Sequence, residues 1–188
     1  MRVISGSAGG IPLTAPKGHR IRPTSERVRE SVFNILSNRL SFSGVDVLDL
    51  FAGTGGLGIE ALSRGARSAV FVDASPLALK TIRLNLKATK LRGRATVVGA
   101  YALKALTMLE EKKLRFGVVF LDPPYEEGWV AKSMSRLSHG NLLLPNALVV
   151  VEHPRKERLA VTYAPLVLTE SRHYGTTDVS FYEITCEE

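Results

Sequence analysis

The chain is poor in cysteine, in histidine and in acid. Its one cysteine, Cys186, leaves no partner for an internal disulfide. With four histidines and no Cys/His cluster around it, neither a zinc site nor a cysteine nucleophile is expected, and no metal is assigned. Long apolar runs are missing too. No stretch approaches the roughly 18 residues of a membrane span, and the start Met1-Arg-Val-Ile-Ser-Gly6 has no apolar signal core. A cytoplasmic protein without membrane contact is the expectation. There is no internal repeat and no low-complexity tract. Acids number 18 against 25 Lys and Arg, a net charge of +7 that suits a polyanionic partner. What is present is an ordinary apolar share, 45% of 188 residues, enough for one globular domain with room for a small appendage.

The positive charge is concentrated early. Residues 1–40 hold Arg2, Lys17, Arg20, Arg22, Arg27, Arg29 and Arg39 against Glu26 and Glu30, a net +5. Residues 4–11 read as two short strands around a glycine-rich turn, which alone would be marginal. A basic loop, Lys17 to Pro23, follows. Thr24 is a good N-cap for a helix, with Glu26 favourable in its first turn. Val28, Val32, Ile35 and Leu36, joined by Phe33, form the expected buried stripe, and Arg27, Arg29, Glu30 and Asn34 are expected away from its centre. Such a cluster is either a solvated face or a nucleic-acid surface. Arginine predominates, and its planar fork pairs with phosphates and stacks on bases. Lys17, Arg20, Arg22 and Arg27 are the candidate nucleic-acid contacts.

From residue 45 the pattern changes to short apolar strands alternating with helices. Val45-Asp-Val-Leu-Asp-Leu50 leads into Phe51-Ala-Gly-Thr-Gly-Gly-Leu-Gly58, then a helix through Arg64. Strand, glycine turn and helix N-terminus form a cradle whose free amides face a ligand. A second strand, residues 68–72, ends at Asp73, 20 residues after Gly53, where an acid can accept both hydroxyls of a ribose. Ser75 and Pro76 open a helix to about Thr89, and residues 95–98 form a third strand. This order implies a parallel, doubly wound sheet.

The spacing Gly53-x-Gly55-x-x-Gly58 also satisfies the dinucleotide fingerprint, so a nicotinamide oxidoreductase stands as an alternative. Asp49 separates the two. An anion just before the glycines would repel a pyrophosphate, whereas a ligand with a cationic amine and a sulfonium tolerates it. Asp-x-x-x-Gly-x-Gly thus looks like the S-adenosylmethionine signature of class I methyltransferases. The plainer possibility for Asp49 is an acid bonded to a neighbouring loop amide. After the third strand, where many such enzymes carry an acid for the adenine amino group, this chain has Gly99-Ala100-Tyr101.

The apolar run 116–121 reads as a fourth, buried strand, and Asp122-Pro123-Pro124-Tyr125 ends it, since two prolines cannot continue a central ladder. That leaves a carboxylate, donor-free carbonyls and an aromatic face at a carboxyl end, where open α/β sheets bind ligands. The set is acceptor-rich and suits a planar ligand with an NH2 group. Trp129 beyond it either stacks on a base or packs on its neighbours. Residues 147–151 form a fifth strand ending at His153, expected as a surface or strand-end histidine. Residues 166–174 and 179–184 form an antiparallel pair at the sheet edge.

Arg22-Pro-Thr-Ser-Glu-Arg-Val-Arg-Glu-Ser-Val-Phe-Asn-Ile-Leu36, Asp49-Leu-Phe-Ala-Gly-Thr-Gly55, Glu60-Ala-Leu-Ser-Arg-Gly65, Asp122-Pro-Pro-Tyr125 and Tyr174-Gly175 occur in order. Together they resemble the bacterial RsmD family, whose members methylate the exocyclic N2 of a guanine in small-subunit (16S) ribosomal RNA. The likeness spans nearly the whole chain; only Ala100 departs from the pattern. It implies a Rossmann-like class I methyltransferase fold, α/β, with a seven-stranded, mostly parallel sheet, an antiparallel C-terminal edge and a small N-terminal hairpin. Residues 1–23 would form an RNA-contacting extension and 24–188 the methyltransferase domain. It further implies S-adenosylmethionine as donor, held by Asp49, Phe51, Gly53, Gly55, Asp73 and Ala100. Catalysis would fall to Asp122, Pro123, Pro124 and Tyr125, on 16S rRNA in a small ribosomal subunit, and a monomer is expected. Two alternatives stay open beside the oxidoreductase: amino methylation of another RNA or DNA base, at adenine N6 or cytosine N4, and a catalytically silent RNA-binding protein.

Overall fold

The structure is a computed structural model that describes residues 1–15, 26–124 and 128–184. After the N-terminal segment, the chain runs α1 (Glu26–Arg39), β1 (Asp46–Leu50), α2 (Gly56–Ser63), β2 (Ser68–Asp73), α3 (Pro76–Ala88), β3 (Ala95–Gly99), α4 (Ala102–Glu111), β4 (Phe116–Leu121), α5 (Trp129–Ser138), β5 (Leu143–Pro154), β6 (Thr162–Tyr163), β7 (Leu166–Tyr174) and β8 (Thr177–Ile184).

One sheet takes all eight strands in the order β3-β2-β1-β4-β5-β8-β7-β6. The first five pair in parallel, and β8, β7 and β6 are antiparallel. The sheet has one strand more than expected. The addition, β6, pairs only Thr162 with Val167 and Tyr163 with Leu166. Its two residues carry too little pattern to register in sequence, and it is held by Tyr163 against the ring of Tyr182, 5.8 Å between centroids.

The central strands are apolar on both faces because both are covered. On one side, Val47, Phe71, Val118, Phe120, Val150 and Phe181 pack with α1, α2 and α3. On the other, Leu48, Val70, Val119, Leu121, Val149 and Tyr182 pack with α4 and α5.

Two expectations change here. Arg29 is not off the α1 stripe but on it, 1% exposed beside Val32, Phe33 and Leu36. The spacing i, i+3, i+4, i+7 puts all four on one face, so the true stripe starts at the arginine. His153 is the expected strand-end histidine, one residue from the end of β5, but not a surface one. It is buried, and its Nε2 lies 2.9 Å from Ser180 Oγ on β8, a partner 27 residues away that local sequence does not reveal.

The N-terminal segment is joined by a single antiparallel bridge, Arg2 to Pro12, rather than two strands. It is not loosely attached. Val3, Ala8 and Leu13 are buried in the core beside α1 and α2. Thr24, the expected cap of α1, lies outside the described residues. So do Lys17, Arg20, Arg22, Tyr125 and Cys186.

Candidate active site at the carboxyl ends of β1 and β4

The strand order reverses between β1 and β4, which pair directly with Leu50 opposite Leu121. Adjacent strands lie about 4.8 Å apart. The glycine turn leaving β1 and the Asp122-Pro-Pro turn leaving β4 therefore emerge side by side at the switch point of the sheet. Phe51 and Trp129, one residue past β1 and the first of α5, close the gap with rings 6.2 Å apart, edge to face. Trp129 thus packs on its neighbour.

Backbone geometry marks the β1 turn. Phe51 sits at φ 66°, the left-handed region that a bulky residue rarely occupies, followed by Gly53 at 55° and Gly55 at 77°. α2 begins directly at Gly56, three residues before Ile59, so the glycine run includes the first helical turn. At Gly58 a Cβ would run into the ring of Phe71 and come within 3.1 Å of Asp49 Oδ2. Only glycine lets helix and strand approach this closely.

Asp49 is buried, and its Oδ2 accepts from the Gly58 amide at 2.8 Å, the loop-amide bond that stood as the plainer possibility. It braces the first turn of α2 from below. Burial pushes its carboxyl up to about 7, against the Gly58 hydrogen bond, and the nearby Asp73 adds to the rise. Asp73, half-buried at the end of β2, accepts from Gly53 N at 2.9 Å and Ser75 N at 2.8 Å. That fixes the carboxylate at the rim of the turn. Ala100 follows β3 in the same row, its amide bonded to Asp73 O at 3.1 Å. Asp122 is half-buried, Pro123 buried and Pro124 exposed.

All six residues expected to hold a donor therefore line one edge, as do the described members of the Asp-Pro-Pro-Tyr set. Of the expected RNA contacts, Arg27 is the described one. It is exposed on the first turn of α1, at this same edge. The direction of α1 follows from Ser31 Oγ, hydrogen-bonded to Tyr174 OH near the β7–β8 turn, and from Arg39, paired with Glu170 and Glu183 nearer the other end.

Sequence reasoning missed the support beneath the turn. Glu60, fully buried on α2, accepts from Ile4 N at 2.7 Å, Ser5 N at 3.1 Å and Arg64 Nε at 2.8 Å. Its Oε2 also lies 3.8 Å from Arg29 Nε. Burial lowers the pKa of Arg29, and Glu60 opposes the shift. Asn85 on α3 donates to Thr54 O at 2.9 Å and to Thr14 O at 3.0 Å, and accepts from Thr14 N. The available signals were a lone glutamate in the apolar run Gly56-Leu-Gly-Ile-Glu-Ala-Leu-Ser63 and a lone asparagine in mid-helix. A groove of about 320 Å³, lined by Asp46, Arg67, Lys113 and Arg115, opens at the opposite, amino end of the strands, away from this chemistry.

A parallel sheet in this order, with an antiparallel close and a glycine turn beside an Asp-Pro-Pro exit, defines a Rossmann-like class I methyltransferase fold. The chain belongs to the family described as Conserved hypothetical protein 95, whose model matches residues 1–183, and so to the RsmD family that its motifs resemble. It is 41% identical to YlbH, a candidate rRNA methyltransferase of Bacillus subtilis, over 97% of this chain and 98% of that one. It is 33% identical to the Haemophilus influenzae ribosomal RNA small subunit methyltransferase D, over 97% and 93%. Among solved structures it matches yhhF, a candidate methyltransferase of Escherichia coli, with a TM-score of 0.87 at 32% identity, covering 100% and 99% of the two chains.

Proposed function

We propose that this protein transfers a methyl group from S-adenosylmethionine to the N2 amino group of a guanine in small-subunit ribosomal RNA. The observation that carries the reading is the direct pairing of β1 with β4, which sets an acceptor-rich turn beside a glycine cradle.

The cradle fits such a donor. It offers backbone amides and small residues, an acid at the ribose position in Asp73, and in Asp49 a buried carboxyl next to a second acid, an environment that favours a cation over a pyrophosphate. When bound, the donor supplies an electrophilic methyl group on sulfur. Everything else falls to this chain's residues.

The guanine amino nitrogen is a weak nucleophile because its lone pair is shared with the ring. The Asp122 carboxylate and the Pro123 carbonyl each accept one of its N–H bonds. That draws the nitrogen toward a tetrahedral shape and turns its lone pair to the glycine-turn side. A C–N bond forms as the S–C bond breaks, and the surplus proton leaves the amine afterwards, toward Asp122 or water. The gain is chiefly positional and electrostatic. Tyr125, the remaining member of the motif, stacks on the target base, which has to be unpaired or swung out to enter.

The test is incubation of the protein with labelled donor and undermodified small subunits, followed by mapping of the labelled base. Label on guanine N2 is expected; label on adenine N6 or cytosine N4 would move the reading to another amino group. Asp122→Ala should lower turnover by roughly 10²-fold or more, the scale of lost transition-state donors and acceptors, while donor affinity stays near wild type. A variant that lost donor binding but transferred normally at saturation would contradict the role.

A further inference from the structure

The donor side of Asp122 is occupied by the glycine turn and α2. The opposite side belongs to β5, which runs 12 residues and carries the chain beyond the carboxyl edge. Leu121 pairs with Val151, so Glu152 stands beside Asp122 and the residues after Pro154 project past it. At about 3.3 Å per residue along a strand and 4.8 Å between strands, this strap begins roughly 10 Å from Asp122.

The strap is fixed. Pro154 pairs with Thr177 on β8, Arg155 N donates to Thr176 O at 3.0 Å, and Glu157 N donates to Pro154 O at 2.8 Å. It presents Arg155, Lys156 and Arg158, all exposed, with half-buried Glu157 between them. Elsewhere several surface arginines are matched with acids: Arg39 with Glu170 and Glu183, Arg67 with Asp46, Arg136 with Glu110, Arg172 with Glu170. Exposed Arg83, Arg92 and Arg115 are not, but they lie on α3 or at the amino ends of β3 and β4. Among the described residues, Arg155, Lys156 and Arg158 have no such acid. Three cations held on a rigid turn beside the reacting group, with their charge left unmatched, are what a phosphate backbone requires.

We propose that the 155–158 strap is a second RNA-binding surface, holding backbone phosphates next to the target nucleotide on the side of Asp122 away from the donor. It rests on the reading of this protein as an RNA methyltransferase. The nucleic acid then spans the edge of the sheet. Arg27 on α1 lies on one face, the strap lies at the β5 end, and the base enters between them.

The test compares wild type with the triple variant Arg155→Glu, Lys156→Glu, Arg158→Glu, and with a charge-matched control, Arg83→Glu, Lys87→Glu, Arg92→Glu, on and after α3. Binding of undermodified small-subunit RNA is titrated across salt, and methyl transfer is measured separately. The strap variant should raise the RNA KM roughly tenfold or more and flatten the salt slope by about 2, as expected for losing two or three phosphate contacts. Its kcat at saturating RNA and its donor affinity should stay within about twofold of wild type, the signature of lost ground-state binding. An unchanged KM and slope would overturn the proposal. So would an equal effect in the control, which would make net charge the cause. If wild type binds RNA through the strap but transfers no methyl group to it, the surface stands and the reaction assigned above falls. If wild type binds no RNA, both fall.

Discussion

At the residue scale, Asp49 concentrates the chemistry of the turn in one carboxyl group. Its folded pKa of about 7 lies well above the ordinary aspartate value near 3.9. Between those values the folded state holds a proton that the unfolded chain has released. The stabilisation this provides is fully present below about pH 4 and is lost as pH rises through 7. Asp49→Asn, which keeps an acceptor for Gly58 N, should remove that dependence. Chemical denaturation at several pH values should show a smaller loss of stability between pH 4 and 7 in the variant than in wild type. The same titration bears on ligand binding. A cationic donor should bind wild type more tightly as pH rises through about 7, and the rise should be absent in Asp49→Asn when measured by calorimetry. A rise that persisted in the variant would place the titrating group elsewhere.

At the element scale, the first 15 residues are structural before they are anything else. They place Val3, Ala8 and Leu13 in the core and satisfy the buried Glu60 through two backbone amides. A buried apolar side chain contributes about 1.5–3 kcal/mol, and uncovering a paired carboxylate costs more. Deleting residues 1–15 should therefore lower unfolding free energy by several kcal/mol, visible as a drop in denaturation midpoint. A truncated chain of wild-type stability would show that the segment does not brace α2. This contribution was hard to read in the sequence. Residues 4–11 suggest a hairpin, yet their value lies in partners 55 to 58 positions away, beyond any local periodicity. Arg29 misleads for a related reason: its charge argues for solvent while its spacing places it against Glu60. By contrast, β1, β2 and β4 were legible because a central strand covered on both faces is largely apolar, and the glycine and Pro-Pro exits announce where β1 and β4 end. The length of β5 was not: Leu143 gains its place by pairing with Phe116 of β4, and residues 152–154 by pairing with β8.

At the scale of the whole molecule, one sheet serves both cores, so neither layer of helices can detach without exposing the strands that the other covers. A single unfolding transition is expected, with calorimetric and van't Hoff enthalpies in agreement; two resolved transitions would mean that the antiparallel edge melts separately. The site was legible at this scale too, as two motifs, and their adjacency followed from the doubly wound order the sequence implies, in which the strand order reverses and β4 pairs with β1 on the side away from β2.

The asparagine clamp has a temporal side. Asn85 holds Thr14 and Thr54 at once, so the beginning of the chain and the glycine turn are fastened by a side chain synthesised 71 residues after the first of them. On a ribosome, Thr14 and the glycine turn must wait for this fastening until α3 has emerged, so their order of synthesis and their order of settling differ.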